Sequence, residues 1–349
     1  MTAEIRENGA FLKVTISGIP FEKSTWILSN GVEVCHQDVG ILVFKPQNAK
    51  RNVVISSGIH GDETAPIELV DRLAVAMLKG DITPEANVML VIGHPDAINA
   101  HTRFLTENMN RLFKQENDTA NIERVIANRL QKAVTKFFCL GSTSGEKWHL
   151  DLHSAIRGSK HYMFGVLPHT TKPQQNGPLA VFLQQSAMDA LMISDAPSGT
   201  FSWYSAEHHD ALAATLEMGR VAPLYQNDLS EFEFLEKALI SLMTEGDAKT
   251  ADWIEGKTAV YQVSRTIYKT SDNFKLGFPG SAENFTRFPS GSLLAEEDGK
   301  TYVADEDGES VVFPNANVAI GQRACLLVKP VSISTEGKIT VQRILPEAH

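Results

Sequence analysis

Residues 57–68 read SGIHGDETAPIE. The segment before them, Asn52–Ser57 (NVVISS), is apolar and β-branched, the composition of a buried strand. After them, Ile67, Val70, Ala74, Met77 and Leu78 recur at helical spacing over Thr64–Leu78. Thr64 stands where a helix cap belongs, Pro66 suits a first turn, and Gly80 suits an end. His60 and Glu63 therefore fall in a strand-to-helix crossing. In open α/β sheets that crossing lies at the carboxyl edge of the strands, where ligands bind.

The same alternation continues outward to about residue 245. Strands are expected at Val53–Ser57, Val88–Gly93, Trp148–His153, Tyr162–Val166, Leu191–Ser194 and Ala213–Met218. Helices are expected at Thr64–Leu78, Thr119–Phe138, Pro178–Leu191 and Ser230–Thr244. The second carries Ile122, Val125, Ile126, Leu130 and Val134 on one face, and the last opens with Ser230 and Glu233 at capping-box spacing. The pattern predicts an α/β fold with a mixed, mostly parallel sheet flanked by helices. Beyond residue 250 the texture becomes short β-branched runs (Val260–Tyr268, Thr301–Ala304, Ser310–Phe313, Cys325–Pro330) separated by glycine, proline and Asp-Gly turns. Two domains follow: 1–250, with residues 1–45 a β-rich lead-in able to pair with either part, and a β-rich C-terminal domain, 251–349.

The bulk properties exclude several classes. The chain has 349 residues, 43% hydrophobic and 21% charged, an ordinary globular composition. Net charge is −10 with no basic run, which argues against nucleic acid and against an anionic membrane surface as partners. An anionic substrate must then be drawn by a few local arginines. Cys35, Cys139 and Cys325 are far apart, odd in number and without CxxC, so neither a disulfide framework nor a cysteine zinc site is expected, and a reducing compartment fits. The first residues lack a signal-peptide pattern, and no apolar run approaches the ~20 residues of a membrane span. A cytoplasmic location is the expectation. The sequence leaves the oligomeric state open.

His-x-x-Glu is a weak signal alone, and a catalytic zinc site needs three protein ligands with one open position. KWHLDLHSAIRGSKH (147–161) supplies a third candidate, because His153 closes a predicted strand. Asp151, two residues earlier, shares its face and is placed to orient a ligand imidazole. His149 and His161 compete for the same role, His149 one layer deeper. His161 or Asp62 as a fourth ligand would instead make a closed, structural site.

Hydrolysis on a metal also needs a proton shuttle and an oxyanion stabiliser. AATLEMGR (213–220) ends an apolar strand on Glu217, where burial would raise its pKa; an ion pair with Arg220 is the competing reading. HPDAINAHTRFLTENMNRLF (94–113) holds Arg103, Asn110 and Arg111. A guanidinium fork matches a carboxylate, an Asn-Arg pair holds one by complementary hydrogen bonds, and a free arginine neutralises an oxyanion.

Taken together, GIHGDETAPIE, RFLTENMNRLF, DLHSAIRGSKH and TLEMGRV, in that order over about 58–221, resemble the zinc carboxypeptidase superfamily, and within it the aspartoacylase and succinylglutamate desuccinylase branch. The segment FSWYSAEHHDALAATLEMGRVAPLYQNDLSEF and the length resemble the desuccinylase side more. The resemblance implies one zinc ion per chain on His60, Glu63 and His153. It implies Arg103 at the oxyanion, Asn110 and Arg111 on a substrate carboxylate, and Glu217 as general base and then acid. It also implies a following β domain that narrows the mouth of the site. The activity implied is hydrolysis of the amide of a small anionic N-acyl amino acid, N2-succinylglutamate, to succinate and glutamate, a step of arginine breakdown. Another N-acyl amino acid such as N-acetylaspartate is the alternative, and a non-catalytic metal-binding protein the remote one. Arg157, four residues past His153, is a further candidate for a substrate carboxylate. The chain departs from the branch at His94-Pro95, where Asn-Pro is common, and at Asn108-Met109, where Asp-Leu is common.

Overall fold

The computed structural model describes residues 2–140, 145–155, 157–172, 174, 176–245, 252–336 and 339–343. The helices are α1 (Thr2–Asn8), α2 (Phe11–Ile16), α3 (Thr64–Lys79), α4 (Pro95–Asn99), α5 (Ile122–Phe138), α6 (Gly177–Gln185), α7 (Phe201–His209) and α8 (Glu233–Thr244). The first strands are β1 (Ser24–Ile27), β2 (Glu33–Asp38), β3 (Ile41–Lys45), β4 (Arg51–Ser57), β5 (Asn87–Ile92), β6 (Glu146–Ala155), β7 (Met163–Leu167), β8 (Ala190–Ile193) and β9 (Leu212–Arg220). The C-terminal ones are β10 (Ala259–Tyr268), β11 (Lys275–Leu276), β12 (Thr286–Phe288), β13 (Leu293–Glu297), β14 (Lys300–Val303), β15 (Glu309–Val312), β16 (Arg323–Ser334) and β17 (Thr340–Arg343).

One continuous sheet runs in the order β1-β2-β3-β5-β4-β6-β9-β7-β8-β10-β16-β15-β12. Its centre, β5-β4-β6-β9, is parallel, as is β7-β8-β10, and the two blocks meet antiparallel at β9-β7. This is the mixed, mostly parallel α/β sheet expected of the first part. The central strands are buried on both faces because helices cover both, so β4 and β5 read as unbroken apolar runs (Val53, Val54, Ile55; Val88–Ile92). One core layer packs Leu69, Val70, Leu73 and Met77 of α3 under the sheet. The other packs Ile126, Leu130, Val134 and Phe137 of α5 against the opposite face.

Several local expectations are corrected. Residues 1–45 are not all β: α1 and α2 come first, and β1–β3 then extend the central sheet through β3-β5. Thr64 does not cap α3. Glu63 occupies the cap position without a capping bond, its carboxylate being engaged elsewhere, and Thr64 donates to the Ala222 carbonyl at 2.6 Å. The helix does end on Gly80, left-handed at φ +83°. In α5, which starts after Asn121, whose side chain accepts the Arg124 N–H, Ile122 and Val125 face solvent because the buried face runs through Glu123, Ile126, Leu130 and Val134. α6 stops at Gln185, where Ala187 takes φ +59° and the chain turns into β8. Ser230 and Glu233 form no capping box: Asp228 accepts the Ser230 N–H, and Glu233 pairs with Lys237.

The C-terminal part is β-rich, as expected. Asp298 and Gly299, at φ +47° and +80°, close the tight hairpin between β13 and β14 that the Asp-Gly pair predicts. This part is not detached, since β10 and β16 prolong the central sheet through β8. The expected boundary at residue 250 lies outside the described residues. Among them, no helix is long and apolar enough to cross a membrane.

Candidate active site

The chain order of the central strands reverses at β4, with β5 on one side and β6 on the other. That switch point opens a crevice at the carboxyl edge. The loop after β4 enters it through Gly58, at φ +65°, and presses so closely on α4 that a Cβ on Gly61 would lie 2.2 Å from the Ala97 carbonyl carbon. The Gly61 N–H also donates to the Arg103 carbonyl at 3.3 Å, tying the His60 loop to the arginine segment.

His60, Glu63 and His153 are buried there, and one ligand atom from each lies within 4.8 Å of the other two. The rings are turned consistently. Nδ1 of His60 faces Glu63 Oε1 at 2.9 Å, and Nδ1 of His153 faces Glu63 Oε2 at 2.8 Å. The outward nitrogens meet acceptors: His60 Nε2 lies 2.9 Å from Asn108 Oδ1, and His153 Nε2 lies 3.0 Å from Asp151 Oδ2. With Nε2–H donated outward, both rings would turn an Nδ1 lone pair inward, the tautomer a bound cation requires. Two imidazoles and a carboxylate, enclosed and supported from behind, fit a divalent metal ion. Burial alone would raise the Glu63 carboxyl, but His60 and His153 outweigh it and hold it well below the usual range. Burial opposes charge on His153, but Asp151 and Glu63 overcome this and push it well above its ordinary value.

The competing histidines are engaged elsewhere. His149 lies between Ser56 Oγ (2.8 Å from Nε2) and Ser205 Oγ (2.6 Å from Nδ1), and burial lowers it to about 4, so it is neutral. Ser56 donates to Asp151 at 2.6 Å, making His149 part of the support behind Asp151. His161 Nε2 pairs with the Tyr261 hydroxyl at 3.0 Å, against the C-terminal domain.

Glu217 is the register partner of His153 across β6-β9, and Phe164 is the partner of Glu217 across β9-β7. The three side chains therefore stand abreast on one face. Glu217 makes no hydrogen bond among the described residues and keeps part of its surface open to the crevice. Burial, and then the charge of Glu63, push it up to about 7.

Arg103 donates to Glu63 Oε1. Arg111 donates to the Asn110 carbonyl at 2.6 Å and forms no ion pair among the described residues. Its side chain is exposed. Burial, then repulsion from Arg323 and Arg103, lower it to about 9. Asn110 is buried, its Oδ1 accepting the Phe201 N–H at 3.0 Å and its Nδ2 lying 3.2 Å from His153 Nε2. Arg157 donates to the Gly280 carbonyl in the C-terminal domain, to which the 158–160 loop is also knit through Asn284.

Three contributors escaped the sequence. Asn108 takes the place of the branch's common aspartate as the acceptor behind His60, so the departure at 108 keeps an acceptor oxygen. Glu123, buried in α5, receives the Leu105 and Thr106 N–H groups at 2.7 and 2.9 Å and so anchors the segment bearing Arg103. Arg323, at the start of β16, acts electrostatically on Arg111; nothing in its local sequence marks it. His94, the other departure, caps α4 by accepting the Ala97 N–H at 3.4 Å.

Residues 49–243 match the model of the succinylglutamate desuccinylase/aspartoacylase catalytic domain, and residues 256–331 that of the AstE/AspA barrel-sandwich hybrid domain. A succinylglutamate desuccinylase of Vibrio vulnificus is 43% identical over 311 residues, 88% of this chain and 90% of that one. The crystal structure of a succinylglutamate desuccinylase from Vibrio parahaemolyticus superposes with a TM-score of 0.89 at 40% identity, covering 95% of this chain and 98% of that one. One from Vibrio cholerae superposes with a TM-score of 0.88 at 38% identity, covering the same shares. The two family domains lie in this chain in series, and the chain belongs to the succinylglutamate desuccinylase/aspartoacylase family.

Proposed function

We propose that this chain hydrolyses the amide bond of N2-succinylglutamate to succinate and glutamate, a step of arginine breakdown, with zinc held by His60, Glu63 and His153. The carrying observation is the convergence of those three ligands with Glu217 abreast of His153, in a chain about 40% identical to named desuccinylases. Residues 1–250 work as the catalytic unit and 251–349 as the domain that narrows its mouth.

When bound, zinc lowers the pKa of a water toward about 7 and polarises the scissile carbonyl. Glu217 takes a proton from the attacking water as its oxygen bonds to the amide carbon, and returns it to the nitrogen as the C–N bond breaks. Arg103 turns from Glu63 toward the developing oxyanion. Asn110 Nδ2 and the Arg111 guanidinium hold the α-carboxylate on the leaving glutamate. Arg157 faces another carboxylate at the mouth. Asp151 and Asn108 keep the ligand rings in the inward-facing tautomer.

The test is product identification. Purified protein with about one zinc per chain is expected to release succinate and glutamate from N2-succinylglutamate, and to stop when a chelator strips the metal. Faster release of acetate from N-acetylaspartate, or undiminished activity in chelator, would reject the reading.

A further inference from the structure

We propose that Arg323, from the C-terminal domain, binds a carboxylate of the substrate other than the one assigned to Arg111, so that the β domain reads the substrate as well as enclosing it. This rests on the desuccinylase reading above. Arg323 opens β16 opposite Tyr268 of β10. Its guanidinium carbon lies 5.6 Å from the centroid of the Phe313 ring. That ring lies 5.8 Å from the ring of Phe164, the cross-strand partner of Glu217. Glu217 and Phe164 share a face as ladder partners, and the two ring contacts carry the series on through Phe313 to Arg323, linking β9 to the second domain.

Charge agrees with this placement. Arg323 acts electrostatically on Arg111, and Glu217 acts on Arg323. Burial lowers Arg323 despite the opposing influence of Tyr268, Cys325 and Glu217. Among the described residues it forms no ion pair and no side-chain hydrogen bond, whereas Arg265 of the same domain is paired with Glu309. A partly desolvated guanidinium without a counter-charge is costly, and an anionic ligand offsets that cost. Stacking on Phe313 holds the fork in place for bidentate binding. N2-succinylglutamate carries three carboxylates, and Asn110 with Arg111 accounts for one. The acyl carboxylate and the glutamate side-chain carboxylate are the two left, one for Arg323 and the other for Arg157.

The experiment compares zinc-loaded full-length wild type, R323A and R323K on N2-succinylglutamate, on N2-butanoylglutamate, which lacks the acyl carboxylate, and on N2-succinylglutamine, which lacks the side-chain carboxylate. R323A is expected to raise KM for the full substrate about 10- to 100-fold, with a smaller change in kcat. R323K, which keeps the charge but not the fork, recovers part of the loss and stands in if R323A fails to fold. On one truncated substrate the penalty of R323A largely disappears, and that substrate identifies the carboxylate. An unchanged KM, or equal penalties on all three substrates, overturns the proposal. If wild type hydrolyses none of them, the desuccinylase reading fails on its own. Calorimetric titration of succinate and of glutamate into wild type and R323A then decides Arg323: weaker binding of either supports it, and equal affinities overturn it.

Discussion

Glu217 stands directly opposite His153 in the ladder between two adjacent parallel strands. Neighbouring strands are about 4.8 Å apart, and partners point to one side. The carboxylate is therefore held beside the triad by backbone pairing rather than by a flexible loop, and it contributes no ligand atom to the metal cluster. Glu217→Gln is isosteric, so the metal content should stay at the wild-type value while kcat falls about 10²- to 10⁴-fold. Near wild-type kcat in a metal-replete E217Q protein would remove Glu217 from the chemistry.

The environment of Glu217 also sets a pH dependence. Burial and the Glu63 charge push it up to about 7 from an ordinary 4.5. A cation on the triad neutralises part of the Glu63 contribution, so in the loaded enzyme the pKa lies below that raised value. The base works only when ionised. Hence kcat/KM should be flat above that pKa and drop tenfold per pH unit below it. The limb belongs to Glu217 if it vanishes from the residual activity of E217Q; an acid limb of the same position in both proteins assigns it elsewhere.

Asp151 offers a test of the support behind the metal. It accepts from His153 on one oxygen and from Ser56 on the other, with neutral His149 behind Ser56. Asp151→Asn replaces one acceptor with an NH₂ group and unsettles the His153 tautomer. Metal affinity, measured by chelator competition, should weaken about 10- to 100-fold with the circular dichroism spectrum retained. Unchanged affinity would mean that the orientation of His153 is fixed by packing alone.

What was legible in the sequence follows the range of the interactions. His60 and Glu63 are three residues apart on one crossing, and Asp151 and His153 share a face by strand periodicity, so local pattern reaches them. The choice among His149, His153 and His161 was not local. It depends on Ser205, 56 residues from His149, and on Tyr261, 100 residues from His161. Asn108 acts on His60 across 48 residues, and Arg323 comes within electrostatic reach of Arg111 and Glu217 only because β16 folds back beside β10. α7 was missed for another reason. Its turns mix Trp203, Tyr204 and two histidines without a clean apolar stripe, and only the Thr200 cap, accepting the Trp203 N–H, marks its start. The lead-in helices α1 and α2 are too short for periodicity to distinguish from strands.

Glu123 links stability to the site. One of its oxygens receives the Leu105 and Thr106 N–H groups and faces His94 Nε2 at 3.3 Å, all within the segment from which Arg103 and Arg111 project. Burial would raise its pKa, but those backbone donors outweigh burial and lower it. A carboxyl with a depressed folded pKa stabilises the protein fully above its unfolded value of about 4.5, and that contribution is lost as pH falls through the lower folded value. Glu123→Gln removes the charge and buries an amide nitrogen where the other oxygen has no partner. It should cost about 1.5–3 kcal/mol at pH 7 by urea unfolding. The gap to wild type should stay constant down to about pH 4.5 and narrow below it. Because the same segment carries Arg103 and Arg111, KM should rise in E123Q while metal content does not change. A variant equally destabilised at pH 7 and well below the folded pKa would show that Glu123 serves packing and not charge, and an unchanged KM would separate the anchor from the arginines.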